Sequence, residues 1–208
     1  MHREPTYPLI TAARLRMAID GSGVTTLVAG AGCPLACRYC INRTALQGSP
    51  ETVTPQELFD RVKIDDLYFQ ATGGGLTFGG GEALLHTDFY RAFRKLCGSR
   101  WKLNAETSLA VPRENVLAAA EVLDDFIVDI KDTAPEIYRA YTGGDGALAL
   151  DNLRLLFSLV GAERLRVRVP LIPGFNDKAA QHRSKAVLED MGITDIELFS
   201  YVIREQAP

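Results

Sequence analysis

Val24-Thr25-Thr26-Leu27-Val28-Ala29-Gly30-Ala31-Gly32-Cys33-Pro34-Leu35-Ala36-Cys37-Arg38-Tyr39-Cys40 is an apolar, partly β-branched run that breaks at glycine into a loop bearing three of the chain's four cysteines. Residues 24–29 read as a strand, so the cysteines sit at its C-terminal end. Working outward, five more short apolar runs follow, at residues 76–78, 102–107, 126–131, 165–172 and 195–201. Stretches of helical character lie between them. One opens at Thr54-Pro55-Gln56-Glu57, with a cap residue, a first-position proline and an acidic first turn. The others cover residues 87–96, 113–122, 152–159 and 179–191. This alternation predicts an α/β fold with a parallel sheet and helices outside it. Right-handed crossovers would curl such a sheet into a barrel or partial barrel. Functional residues then gather at the strands' C-terminal ends, where the cysteine loop lies. Residues 1–22 read as irregular and close in the turn Asp20-Gly21-Ser22-Gly23. The expected organisation is one domain over residues 1–208.

Composition narrows the function classes. A formal net charge of −3, with no Lys/Arg block, argues against a nucleic-acid surface. No apolar run approaches the roughly 20 residues of a membrane helix. Residues 1–9 lack the apolar core of a signal peptide. Neither membrane association nor export is expected. In a reducing cytoplasm, the expected compartment, four cysteines read as thiols or metal ligands rather than disulfides.

The spacing Cys33-x₃-Cys37-x₂-Cys40 lets one short loop wrap thiolates around three corners of an iron–sulfur cube. A complete ligand set is four, so a set of three leaves one iron open to a small chelating molecule. Zinc is the alternative, with Cys97 or a histidine as fourth ligand. Structural zinc sites, however, usually use two separated ligand pairs. His2, His86 and His182 are scattered, and Cys97 closes a predicted helix as a small buried residue.

Further along, Gly79-Gly80-Gly81-Glu82 follows the second predicted strand, where a backbone without side chains can approach a ligand closely. A tight turn is the plainer reading. Asp129 and Lys131 alternate on an otherwise apolar strand and so share a face. Two inward charges are costly unless they pair with each other or line a site.

The cysteine spacing resembles the signature of radical S-adenosylmethionine (SAM) enzymes. The likeness extends to most of the chain. Asp20-Gly21-Ser22-Gly23 and Gly32-Cys33-Pro34-Leu35 resemble the opening of the glycyl-radical-enzyme activases, the pyruvate formate-lyase activating enzyme type. Thr72 to Ala83, Ala105-Glu106-Thr107-Ser108, Val128-Asp129-Ile130-Lys131, Val169 to Asp177 and Glu197 to Tyr201 are similar to later blocks of that family.

The resemblance implies a partial (β/α)₆ TIM-like barrel with parallel strands. It implies a [4Fe–4S] cluster on Cys33, Cys37 and Cys40, whose open iron is chelated by S-adenosyl-L-methionine. Reductive cleavage of that cofactor would give a 5′-deoxyadenosyl radical, which in the activases takes a hydrogen atom from a backbone glycine of a large partner enzyme. The implied partners are a glycyl radical enzyme and a flavodoxin- or ferredoxin-like electron donor. Lys131 joins the three cysteines as a catalytic candidate. Tyr39, Asn42, Gly80, Gly81, Glu82, Glu106, Thr107, Asp129, Lys131 and Arg168 are the implied cofactor-binding positions. In some activases the positions of Glu106, Thr107 and Asp129 also hold a monovalent cation. Four residues depart from the pattern: Gly79 stands where relatives often have serine, Glu106 is longer than an aspartate, Leu109 replaces a glycine and Val202 a histidine. A strand with no covering helix after residue 201 would present an open edge. Two other functions keep the same cluster: a radical enzyme acting on a small molecule or peptide, and a non-catalytic iron–sulfur sensor or partner-binding protein.

Overall fold

All six anticipated strands form and lie side by side in parallel. The computed structural model describes residues 4–201. We label the strands β1 (Tyr7–Met17), β2 (Val24–Gly30), β3 (Glu51–Val53), β4 (Gly75–Gly80), β5 (Lys102–Thr107), β6 (Asp125–Asp129), β7 (Leu165–Leu171) and β8 (Ile196–Ser200). They make one sheet in the order β3-β1-β2-β4-β5-β6-β7-β8. From β2 to β8 every neighbouring pair is parallel. This is the curled α/β sheet of a partial TIM-like barrel. Val202 lies outside the described residues.

The N-terminal segment corrects the sequence reading. Residues 7–17 are not irregular: β1 pairs antiparallel with β2 on one side and with β3 on the other. Tyr7 and Leu9 drive this, both buried in the core. The strand is hard to see in sequence because register shifts after Leu9 and Ala13 break its alternation, and Leu15 turns to φ +55°.

The helices are α1 (Arg43–Leu46), α2 (Pro55–Val62), α3 (Asp66–Thr72), α4 (Thr87–Cys97), α5 (Arg113–Val122), α6 (Pro135–Thr142), α7 (Gly146–Val160) and α8 (Lys178–Asp190). Local chemistry explains three of the starts, among them that of α7, which lies six residues ahead of the expected 152–159 stretch. Thr54 and Glu57 complete a reciprocal capping box at α2. Asp145 and Asp177 cap α7 and α8. The helices α1, α3 and α6 were not anticipated. Each has eight residues or fewer, too short for a clear apolar period. Between sheet and helices, Phe78, Phe89 and Tyr90 pack around Tyr7, Phe93 stacks on Phe89, and Phe59 stacks on Trp101. Among the described residues, no helix is long and apolar enough to cross a membrane.

Candidate cluster and cofactor site

The cysteine loop leaves β2 at the C-terminal edge of the sheet, and three sets of hydrogen bonds to its backbone hold it there. Gly81 N–H donates to Gly30 O (2.8 Å) and Glu82 N–H to Gly32 O (2.8 Å), tying the loop to the glycine run after β4. Ala36 N–H donates to Thr142 O (2.8 Å) and Arg38 N–H to Tyr141 O (3.0 Å), so the loop satisfies carbonyls at the end of α6. Arg43 closes the loop on itself, donating to Cys37 O (2.7 Å) and Arg38 O (3.0 Å).

The three cysteines are free thiols, Cys33 exposed and Cys37 and Cys40 half-buried. Partial burial pushes the Cys37 thiol up to about 11, with Lys131 pulling the other way, and raises Cys33 as well. Such thiols give up their protons to a bound cation rather than to neutral water. Among the described residues, no three Cys, His, Asp or Glu side chains converge as ligands of a single metal ion. A four-iron cube asks less convergence of its ligands, because each thiolate takes a different iron. The zinc alternative loses its fourth ligand. Cys97 is fully buried and precedes β5, at the opposite end of the sheet. His86 Nε2 faces Ala31 O (3.2 Å), and burial lowers the pKa of its ring. His182 is exposed on α8, and His2 lies outside the described residues.

The glycines after β4 are there for close approach. A Cβ on Gly81 would lie 2.1 Å from Gly32 O, and Gly80 takes φ +90°. Asn42 reaches across from the cysteine loop and donates to Gly80 O (2.9 Å). We expect Gly81→Ala to destabilise the protein by about 1–3 kcal/mol, since backbone must move to admit the methyl. Urea unfolding checks this against Gly48→Ala, whose methyl would meet Ala45 O at 3.4 Å and Thr44 O at 3.9 Å, ordinary contact distances.

Glu82 is buried, and its carboxylate accepts four hydrogen bonds: from Leu84 N–H (3.0 Å), Thr107 Oγ1 (2.6 Å), Ser108 N–H (2.9 Å) and Ser108 Oγ (2.7 Å). It therefore braces the glycine run against the end of β5. Sequence reading missed Ser108 in this role, and also Asn152, which donates to Leu109 O (2.9 Å) and Val111 O (2.7 Å). Those bonds pin a turn in which Leu109, fully buried, takes φ +58°. A leucine thus occupies the left-handed conformation that a glycine adopts freely.

Across the ends of β5, β6 and β7 runs a chain of opposite charges. Arg168 Nη1 donates to Glu106 Oε1 (3.1 Å), and its Nε to Asp129 Oδ1 (2.6 Å). Lys131 Nζ donates to Asp129 Oδ2 (2.9 Å) and to Tyr201 Oη (2.9 Å). Asp129 and Lys131 do share a face, as their spacing predicts. Burial works against the Asp129 charge, but Lys131 and Arg168 outweigh it and hold the carboxyl below its usual range. Lys131 likewise stays charged, burial being outweighed by Asp129. Glu106 goes the other way: burial raises it, and Arg168 only partly compensates. Both oxygens of Asp129 and the Thr107 hydroxyl are thus already engaged where a monovalent cation was considered.

The Glu106 shift has a sign that can be measured. A carboxyl raised in the folded state favours folding below its unfolded value and loses that contribution as pH rises through the folded value. The stability of Glu106→Gln should therefore gain on the parent as pH climbs from about 4.5. Urea midpoints at pH 4.5 and 7 report the trend, and a gap independent of pH would contradict it.

Tyr39, in the cysteine loop, packs edge-on to Phe175 (5.7 Å between centroids) and against Tyr141 (6.0 Å). The thiol loop, the glycine cradle and the charge chain thus occupy one end of one sheet. The Radical SAM superfamily model matches residues 27–185. The chain belongs to the radical SAM superfamily. Its similarity to individual radical SAM proteins is lower but extensive. It is 28% identical to the pyruvate formate-lyase 2-activating enzyme of Escherichia coli K12, covering 88% of this chain and 73% of that one. It is 32% identical to the (2S)-3-sulfopropanediol sulfolyase activating enzyme of Bilophila wadsworthia, covering 76% and 72%. The fold resembles that of Streptococcus suis SuiB bound to S-adenosylmethionine, with a TM-score of 0.62 at 11% identity. That match covers 84% of this chain and 41% of SuiB, so this chain spans well under half of that larger protein.

Proposed function

We propose that this radical SAM protein is a glycyl-radical-enzyme activase. It would hold a [4Fe–4S] cluster on Cys33, Cys37 and Cys40, with S-adenosylmethionine beside it. The observation that carries the reading is the shared location of three free thiols, a side-chain-free cradle and a compensated charge chain at one sheet end. When bound, the cluster and cofactor together supply reductive cleavage of the sulfonium and a hydrogen-abstracting species.

The chain's own residues then have defined tasks. The open backbone of Gly79, Gly80 and Gly81 offers polar groups to the cofactor's amino group, while Glu82 keeps that backbone in place. Arg168 and Lys131 provide positive charge for its carboxylate, and Asp129 provides negative charge for its sulfonium. Asn42 and Tyr39 border the nucleoside. The glycyl substrate is inferred from the activating enzymes to which the chain is similar. Electrons would come from a flavodoxin- or ferredoxin-like donor.

The test is anaerobic reconstitution, reduction, and incubation with S-adenosylmethionine and a panel of glycyl radical enzymes. A glycyl radical signal in one of them is the expected result. Formation of 5′-deoxyadenosine with no such signal across the panel would move the protein to small-molecule or peptide substrates. No 5′-deoxyadenosine at all would favour a non-catalytic role.

A further inference from the structure

Arg43 grips both ends of the turn that joins the last two cysteines of the triad. Its backbone N–H donates to Cys40 O (3.2 Å). Its guanidinium Nη2 donates to Cys37 O (2.7 Å) and Arg38 O (3.0 Å), one N–H for each carbonyl. Cys37 O also accepts from Cys40 N–H (3.3 Å), so the shorter, charge-assisted bond from Arg43 reinforces the turn's own. Little else holds this span. Upstream, the bonds from Ala36 and Arg38 to α6 fix the loop only as far as residue 38. Downstream, Asn42 is anchored on Gly80 O. Between them the Cys40 backbone bonds, among the described residues, only to Cys37 and Arg43. The helix α1 that follows has four residues and buries none of them, so it lends no packing. The same guanidinium also places a charge beside the thiols. The carbonyl oxygen and the sulfur of one cysteine are four bonds apart. The Arg43 charge therefore stands within about 8 Å of the Cys37 sulfur whatever rotamer that side chain takes. Lys131 shares its charge with Asp129 at 2.9 Å, whereas the Arg43 guanidinium has only carbonyls as partners among the described residues.

We propose that Arg43 is a positioning residue for the cluster: its guanidinium presets the Cys37–Cys40 turn, and its uncompensated charge favours the reduced state. The inference rests on the cluster reading above. Adding an electron adds a negative charge, so a cation nearby raises the potential. The charge persists across the whole working pH range, because a guanidinium does not lose its proton there.

Arg43→Met keeps a long stem and removes both donors and charge, while Arg43→Lys keeps the charge. The first measurement needs no iron. In the cluster-free proteins, amide hydrogen exchange at Cys40 should be at least about tenfold faster in Arg43→Met than in the parent. The proteins are then reconstituted anaerobically and the cluster midpoint is measured by redox titration without S-adenosylmethionine. Arg43→Met should be harder to reduce by a factor of about three to five in the equilibrium, about 28–41 mV for a one-electron couple. Arg43→Lys should titrate with the parent. Should Arg43→Met load no iron, Arg43→Gln takes its place in the titration. Unchanged exchange at Cys40 would overturn the proposal, and so would equal potentials in the uncharged variant and the parent. A lysine variant as hard to reduce as the uncharged one would also overturn it, since charge would then not be the cause. Failure of the parent to bind iron would instead count against the cluster reading, while the exchange rates would still test the turn.

Discussion

Cys37→Ala should yield a folded protein that retains almost no iron after anaerobic reconstitution and makes no 5′-deoxyadenosine above background. The reasoning is local. Cys37 is half-buried in a loop whose backbone is held by Arg43, Thr142 and Tyr141, none of which uses the thiol. Losing the sulfur therefore costs little folding energy, within about 0.5–1 kcal/mol of the parent. It removes one of three iron ligands, and two thiolates do not hold a four-iron cube against exchange. We expect iron content to fall at least tenfold and turnover at least a thousandfold. Cys97→Ala serves as the contrast. That thiol is buried at the far end of the sheet, so its loss should lower stability by roughly 1–2 kcal/mol and leave iron content intact. Retention of full cluster absorbance by Cys37→Ala would show that the ligands lie elsewhere.

Asp129→Ala should be the most destabilising change in the charge chain. It leaves Lys131, whose side chain is 9% exposed, and Arg168, 20% exposed, facing each other without the carboxylate between them. Removing one partner from a buried ion pair typically costs 3–5 kcal/mol. Because Arg168 keeps Glu106 and both cations retain some solvent, the lower end applies, about 3 kcal/mol. In a chain of this length that lowers Tm by about 6–12 °C. The pH dependence fixes the mechanism. Asp129 has a folded value below its unfolded one, so its contribution is complete above the unfolded value and fades as pH falls through the folded value. The gap between parent and variant should stay constant from pH 5 to 8 and narrow below about pH 4. A gap that narrowed towards alkaline pH would contradict the assignment.

Much of this site could be read before the structure. Three cysteines in one loop after a strand, and two charges at alternate positions in an apolar strand, are patterns that backbone geometry forces to one end and one face. The parallel sheet followed from the alternation of short apolar runs with helical stretches. What escaped was either bent or assembled from distant parts. β1 escaped because its bulges disturb the period. Ser108 and Asn152 act through hydrogen bonds to Glu82 and to the Leu109 turn, contacts that span 26 and 43 residues. No local pattern announces such bonds. α6 was too short to be seen, and with it went the helix-end carbonyls of Tyr141 and Thr142 that hold the cysteine loop.

Two departures from the family pattern also become one. A Cβ on Gly79 would lie 3.1 Å from Glu106 Oε2, so the longer carboxylate occupies the space a side chain at position 79 would need. Glycine at 79 and glutamate at 106 are complementary choices, a relation that neither residue reveals on its own.

The central claim is that the three thiols hold a cluster with one iron left for S-adenosylmethionine. Electron paramagnetic resonance of the reconstituted, reduced protein tests it most directly, recorded with and without S-adenosylmethionine labelled with ¹⁷O in its carboxylate. The account predicts a changed cluster signal and a hyperfine coupling from the label. An intact cluster signal that is indifferent to the cofactor and shows no coupling would contradict it.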